Sequence, residues 1–409
     1  MLRTRRKPRV VPQGTIRFDQ GDPYFNTPEP IRRALSDAVD AGVVHYADPE
    51  GDPTLRRRVA ERVSERSGRW YEQQQVTITH GATGGLAAAI LGTVDPGDGV
   101  IIPEPSSSLY ADLVRLAGGQ PLYSACPPPE FRVDTRAMAA LATRAKLVVL
   151  CHPCNPTGIV YTRDELEEVA RIAERHDLLV LSDEAYDHVV YEPDMFTSAL
   201  DVPGLAGRLM YVQTFSKTYA MTGWRVGYLV TPPDIGPACA RIHHTLVGPV
   251  NSAVQRAASV ALAHGDEWHR EMLERYRRRR DLVVDALGAL SSSPPRPPQG
   301  TFYIFARHPA GVTSEQMTEI ALKKGVAVRP GSAYGPSGEG FVRIAFSLGV
   351  DDVTEGMARL SRAFHQAAAH TVRRGSNASR TALPKMLADS TASTMATPGH
   401  STSQMEWNK

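Results

Sequence analysis

The middle of the chain alternates short apolar runs with segments of helical periodicity, and this alternation restricts the fold more than any other feature. Val76–Thr79 predicts a strand, Gly81-Ala82-Thr83 a turn, and Gly84–Thr93 a helix. Asp95-Pro96-Gly97-Asp98 forms a second turn, with a strand over Val100–Ile102. Further strands are predicted at Leu147–Leu150, Leu178–Ser182 and Leu209–Gln213. Arg163–His176 places Leu166, Val169, Ala170 and Ala173 on one helical face. Strands interleaved with helices build βαβ units, so the expected class is α/β with a mainly parallel sheet flanked by helices. Ligands in such sheets bind at the carboxyl ends of the strands. Polar residues just after an apolar run are therefore the site candidates.

Beyond a long helix or helical pair predicted at Gly265–Leu290, the Ser291–Pro298 stretch is a breaker. Thr301–Ala306, Ser314–Lys324, Val326–Val328 and Phe341–Phe346 then predict a smaller α+β domain. The expected plan is a basic extension over 1–20 and a segment 21–45 packing with the small domain. A large domain over 46–285, a small domain over 286–368 and a disordered tail over 369–409 follow. Lys plus Arg number 46 against 44 Asp plus Glu, a net charge of +2. That balance lacks the basic footprint of a nucleic-acid or membrane-surface binder. No apolar run reaches the length of a membrane span. The basic Met1–Lys7 stretch is not followed by the apolar core of a secretory signal. Four cysteines in 409 residues are too few for a disulfide scaffold, so a cytoplasmic location is expected.

The most informative segment is Thr214-Phe215-Ser216-Lys217, continuing through Gly223-Trp224-Arg225-Val226-Gly227-Tyr228 after a predicted strand. A buried lysine is a shifted-pKa amine suited to forming a Schiff base with an aldehyde. Thr214, Ser216 and Arg225 offer hydroxyls and a fork-shaped cation, a set that suits phosphate. Gly81, Ala82 and Thr83 follow a strand and open a helix, where backbone amides bind phosphate. Asp183 and Tyr186 follow a third strand, and Asn155-Pro156-Thr157-Gly158 a fourth. Arg343 lies inside the apolar run Phe341–Phe346, where an unpaired charge is costly.

Together these segments resemble the class I/II aminotransferases of fold type I, the aspartate aminotransferase superfamily, which use pyridoxal 5′-phosphate (PLP). The resemblance runs from about Gly21 to Ala363 and includes Gly21-Asp22-Pro23 and Pro330-Gly331-Ser332-Ala333-Tyr334-Gly335. It implies that Lys217 carries the cofactor and then acts as general base, that Asp183 faces the ring nitrogen, and that Asn155 and Tyr186 contact the phenolic O3′. It implies phosphate binding by Ala82 and Thr83, and by Tyr46 reaching over from a partner subunit, hence a homodimer with shared sites. Arg343 is implied to grip the substrate α-carboxylate. The implied reaction moves an amino group from an L-amino acid to a 2-oxo acid in ping-pong order.

One landmark departs. The family pattern places a ring-stacking aromatic between a proline and a tyrosine, and aligning Pro105 with Tyr110 puts Ser107 there. This keeps a PLP lyase, cyclase or oxidase as an alternative outcome, with Tyr110 or another aromatic replacing the lost stacking face. A non-catalytic PLP-binding regulator is a further alternative, disfavoured by the intact Lys217 and by the short stretch before Gly21. Cys151-His152-Pro153-Cys154 lacks a second ligand pair and is read as packing, so no metal is expected. Arg277–Arg280 has Glu271, Glu274 and Asp281 nearby and is read as a solvated helix face. His243-His244 shows no ligand pattern.

Overall fold

Alternate residues of the strand Ala145–Cys151 point into two different apolar cores: Val148 and Leu150 into one, Leu147 and Val149 into the other. Both faces are buried, which is why the run reads as unbroken apolar sequence. The computed structural model describes residues 10–264, 266–290 and 295–388. Its strands are β1 (Ile16–Arg17), β2 (Val76–Thr79), β3 (Gly99–Glu104), β4 (Gln120–Ala125), β5 (Ala145–Cys151) and β6 (Leu179–Asp183). Then come β7 (Leu209–Thr214), β8 (Gly227–Val230), β9 (Tyr303–Arg307), β10 (Val326–Ala327), β11 (Arg329–Pro330) and β12 (Phe341–Ala345). The helices are α1 (Glu29–Asp40), α2 (Pro53–Ser67), α3 (Gly81–Thr93), α4 (Ser108–Leu116), α5 (Thr135–Ala142) and α6 (Arg163–Arg175). They continue as α7 (Phe215–Thr218), α8 (Gly236–Val247), α9 (Ser252–His264), α10 (Asp266–Gly288), α11 (Ser314–Lys323) and α12 (Val350–Ala388).

The large sheet has the order β2-β8-β7-β6-β5-β3-β4. Only β8 runs against its neighbours, β2 and β7. The ends of β2, β5, β6 and β7 therefore share one edge, where β8 begins. Register fixes this: Thr79 and Thr214 both pair with Gly227, and Asp183 pairs with Cys151 and Val212. A second core forms around the antiparallel sheet β11-β12-β9 and the helices α10, α11 and α12. Among the described residues, no helix is long and apolar enough to cross a membrane.

Several expected boundaries shift. The 1–20 stretch joins the fold before its end: β1 pairs with β10 and Phe18 is fully buried. Residues 1–9 lie outside the described residues. The 21–45 segment divides its contacts. Phe25 packs on the second core, but Ile31 of α1 is buried in the large core. The small core also begins earlier than 286, because α10 buries Met272, Tyr276 and Val283 in it. Finally, α12 continues past 369 to Ala388. Ala367 is buried in the second core, and the helix continues beyond it. Once nucleated, a helix extends at one hydrogen bond per residue. The rest of the expected disordered tail, 389–409, lies outside the described residues.

The arginine run on α10 is not one solvated face. Four consecutive helical residues spread over most of a turn. Arg278 is exposed beside Glu274, whereas Arg280 lies 4.4 Å over the Tyr191 ring. Arg279 is buried against Tyr24, Phe25 and Tyr276.

Candidate active site

The ends of β2 and β7, which flank β8, build an anion cradle. Gly81 opens α3 with φ +65°, and a Cβ on it would fall 2.8 Å from Arg225 Nη2. The guanidinium thus lies over the turn, held by Arg225 Nη1 donating to the Thr222 carbonyl at 2.8 Å. Across the sheet, Thr214 Oγ1 donates to Ser216 Oγ at 2.9 Å and accepts from the Ser216 N–H at 3.2 Å. A Cβ on Gly227 would lie 2.9 Å from the Gly81 carbonyl carbon, so the close approach of β8 to the turn requires glycine. Ala82 is partly buried and Thr83 is exposed on the first turn of α3. Free amides, hydroxyls and one cation here are the donor set a phosphate takes.

Lys217 stands on the short helix α7 after β7. Its Nζ donates to the Gly21 carbonyl and lies 5.7 Å over the Phe302 ring. Burial holds this amine down to about 8. Arg343 and Arg225 push the same way, while Asp22 and Asp183 oppose. Asp183, at the end of β6, accepts from the Tyr110 hydroxyl at 2.8 Å and from the Ala185 N–H at 3.2 Å. Burial pushes its carboxyl up from the ordinary range against those hydrogen bonds. A buried carboxylate in this state suits a protonated ring nitrogen.

Arg343, on β12, donates through Nη1 to Asn155 Oδ1 at 3.1 Å and through Nη2 to the Asp19 carbonyl at 2.8 Å. Its guanidinium carbon lies 4.0 Å from the Tyr303 ring centroid. The Tyr303 hydroxyl shares a 2.8 Å hydrogen bond with the Tyr186 hydroxyl. Asn155 is itself placed by its N–H donating to Cys151 Sγ at 3.3 Å.

The fold therefore brings Lys217, Asp183, Tyr110, Asn155, Tyr186 and Arg343 together beside the cradle. Two further predicted residues make other contacts. Tyr46 is 95% exposed, on a segment whose Val43 and His45 carbonyls accept from Ser252 Oγ. Ser107 caps α4, accepting from the Leu109 N–H at 3.4 Å, and faces the 332–336 segment across a cleft of about 400 Å³. Sequence reasoning missed Tyr303, which lies inside the predicted run Thr301–Ala306 and carried only a core signal. It also missed His243, a buried side chain whose Nε2 accepts from the His80 N–H at 3.2 Å and so buttresses the cradle turn. All four cysteines are buried thiols. Among the described residues no cluster of three His, Cys, Asp or Glu is placed to hold a metal ion.

A mainly parallel sheet with an amine, a buried carboxylate and an anion cradle at one edge defines a fold-type-I PLP enzyme. The family model for aminotransferase class I and II matches residues 13–360, and the chain belongs to that family. It is 36% identical over 359 residues to the "Putative aminotransferase YugH" of Bacillus subtilis (strain 168), covering 87% of this chain and 92% of the relative. It is 35% identical over 354 residues to an aspartate aminotransferase of Pyrococcus abyssi, covering 85% and 90% respectively. Among solved structures, an aromatic aminotransferase from Pyrococcus horikoshii superposes with TM-score 0.82 at 34% identity, over 86% of this chain and 96% of that one. The chain is a PLP-dependent aminotransferase, transferring an amino group between an amino acid and a 2-oxo acid. The residues present fit the cofactor: Gly81 puts no side chain between the turn and the Arg225 guanidinium, whose Nη2 lies 2.8 Å from where a Cβ would be.

Proposed function

We propose that Lys217 is the residue that carries PLP and then moves the substrate proton. The observation that carries this reading is a half-buried amine, lowered to about 8, set between the anion cradle and Arg343. Gly81, Ala82, Thr83, Thr214, Ser216 and Arg225 hold the phosphate, with Tyr46 added from a second subunit of a homodimer. Asp183, oriented by Tyr110, keeps the ring nitrogen protonated. Asn155 and Tyr186 donate to the phenolic oxygen, and Arg343 fixes the substrate α-carboxylate so that its Cα–H bond faces Lys217 Nζ. Bound there, PLP supplies an electron sink for the charge left at Cα. Lys217 would take the proton from Cα and deliver it two bonds away, to the carbon on the cofactor side of the transferred nitrogen. The second half-reaction runs in reverse with a 2-oxo acid, giving ping-pong kinetics. Four buried thiols support a reducing, cytoplasmic setting.

Borohydride reduction of the loaded enzyme should fix the cofactor on Lys217, identified by peptide mass. Lys217→Ala should give neither label nor transfer, and a labelled or active Lys217→Ala overturns the assignment. Because the relatives are named for aspartate and for aromatic amino acids, the first amino-acid panel should hold both. Each amino acid is first incubated without an oxo acid, which is added afterwards. Transfer predicts a new amino acid on that addition. Release of elimination products without a new amino acid would overturn transfer as the outcome.

A further inference from the structure

Arg343 and Tyr334 both carry buried polar atoms that stay unsatisfied among the described residues. Arg343 spends Nη1 and Nη2 on Asn155 and Asp19, but its Nε has no hydrogen-bond partner among the described residues. Tyr334 is 5% exposed, and its hydroxyl, close enough to the Arg343 guanidinium for the cation to act on it, meets no hydrogen-bond acceptor among the described residues. The two are neighbours, with the Arg343 guanidinium carbon 5.4 Å from the Tyr334 ring centroid. Tyr334 is also pinned in place. Phe305 meets its ring edge-on at 6.0 Å, the Arg329 guanidinium lies over it at 5.9 Å, and its carbonyl accepts from the Ser106 N–H at 2.9 Å.

A buried donor without an acceptor is destabilising, and a phenylalanine would fill the same space without that cost. Unsatisfied groups of this kind persist at sites where a ligand satisfies them. Beside a guanidinium, the matching ligand atom is an anionic oxygen. We propose that the Tyr334 hydroxyl is a substrate-binding group, donating together with Arg343 Nε–H to a carboxylate oxygen of the amino acid and of the 2-oxo acid. The proposal rests on reading Arg343 as the carboxylate fork.

The test uses the loaded enzyme with Tyr334→Phe. KM for the amino acid and the 2-oxo acid should rise roughly tenfold or more, the effect of losing a hydrogen bond to a charged group. The visible absorbance of the Lys217-bound cofactor and its pH titration should stay as in the wild type. Thermal stability should hold or rise, since an unsatisfied hydroxyl has been removed. The preference for an amino acid over the primary amine lacking its carboxylate should fall by the same factor as KM rises. Unchanged KM and preference would overturn the proposal, and so would a lost cofactor band or a lower melting temperature, which assign Tyr334 to holding the fold. Arg343→Lys is run in parallel. If it also leaves KM unchanged, the fork reading itself fails. If it alone raises KM, only the role of Tyr334 fails.

Discussion

The Tyr110 hydroxyl donates to Asp183 Oδ2 across 2.8 Å, tying α4 to the end of β6. The bond spans 73 residues of sequence and gives a distinct job to a side chain that sequence reasoning offered as a replacement for the stacking aromatic. With its hydroxyl committed to Asp183, Tyr110 acts on the carboxylate. Its hydrogen bond works against the burial that pushes Asp183 upward.

Tyr110→Phe removes that bond and should raise the Asp183 carboxyl further, weakening its pairing with a ring N–H. A hydrogen bond to a charged group contributes about 1.5–3 kcal/mol, so cofactor dissociation should strengthen by roughly tenfold or more. Equilibrium dialysis followed by absorbance measures it. Wild-type retention in Tyr110→Phe would remove Asp183 from the ring-nitrogen role or Tyr110 from its support.

The cradle predicts an effect specific to phosphate. Gly81→Ala adds a Cβ 2.8 Å from Arg225 Nη2 at a φ of +65°. Arg225 is exposed and can give way, so the fold should survive while the guanidinium leaves the turn. PLP affinity should fall by about tenfold or more, the loss of one charged contact. Affinity for pyridoxal, which lacks the phosphate, should stay level. An equal fall for both compounds would place the damage elsewhere.

What the sequence made legible was local. β5, β6 and β7 are short apolar runs; Asp183 closes β6, and Asn155 and Lys217 come within a few residues of the ends of β5 and β7. The edge strand β4 escaped notice because Gln120, Tyr123 and Ala125 face solvent and Pro121 interrupts the run. α2 was hidden by its arginines, although Leu55, Val59 and Val63 repeat at helical spacing and are all buried. The contacts that aim the site were not legible at all. Tyr186 meets Tyr303 over 117 residues, and Arg343 meets the Asp19 carbonyl over 324. No periodicity encodes such pairs, since the fold creates them.

The junction between the large sheet and the small domain has a steric check point. Gly335 has φ +116°, and a Cβ there would fall 1.9 Å from Glu104 Oε2. Glu104 Oε1 accepts from Ser337 Oγ at 3.0 Å. Gly335→Ala should therefore cost about 2 kcal/mol or more through backbone strain and the clash. Thermal unfolding should show a fall of several degrees. Adding Glu104→Ala relieves the clash but leaves the strain, so the double variant should be more stable than the two single losses summed. Simple additivity would mean that the side chains do not meet.

Lys217 makes a prediction about pH that separates burial from other causes. Its folded value of about 8 lies below the ordinary lysine value of 10.5. Between these, the unfolded chain holds the proton that the folded chain has released, so this group adds stability as pH rises from 8 to 10.5. Below pH 8 both states are protonated, and the folded protein bears the full penalty of a buried ammonium. Lys217→Met keeps most of the stem and removes the charge. In the cofactor-free form, the variant should outlast the wild type in urea at pH 7, and that advantage should shrink toward pH 10. Cofactor loading onto the wild type should accelerate with pH and level off above about 8, because only the neutral amine attacks the aldehyde. A stability gap independent of pH, joined to loading that keeps accelerating beyond pH 9, would mean that burial does not hold this amine down.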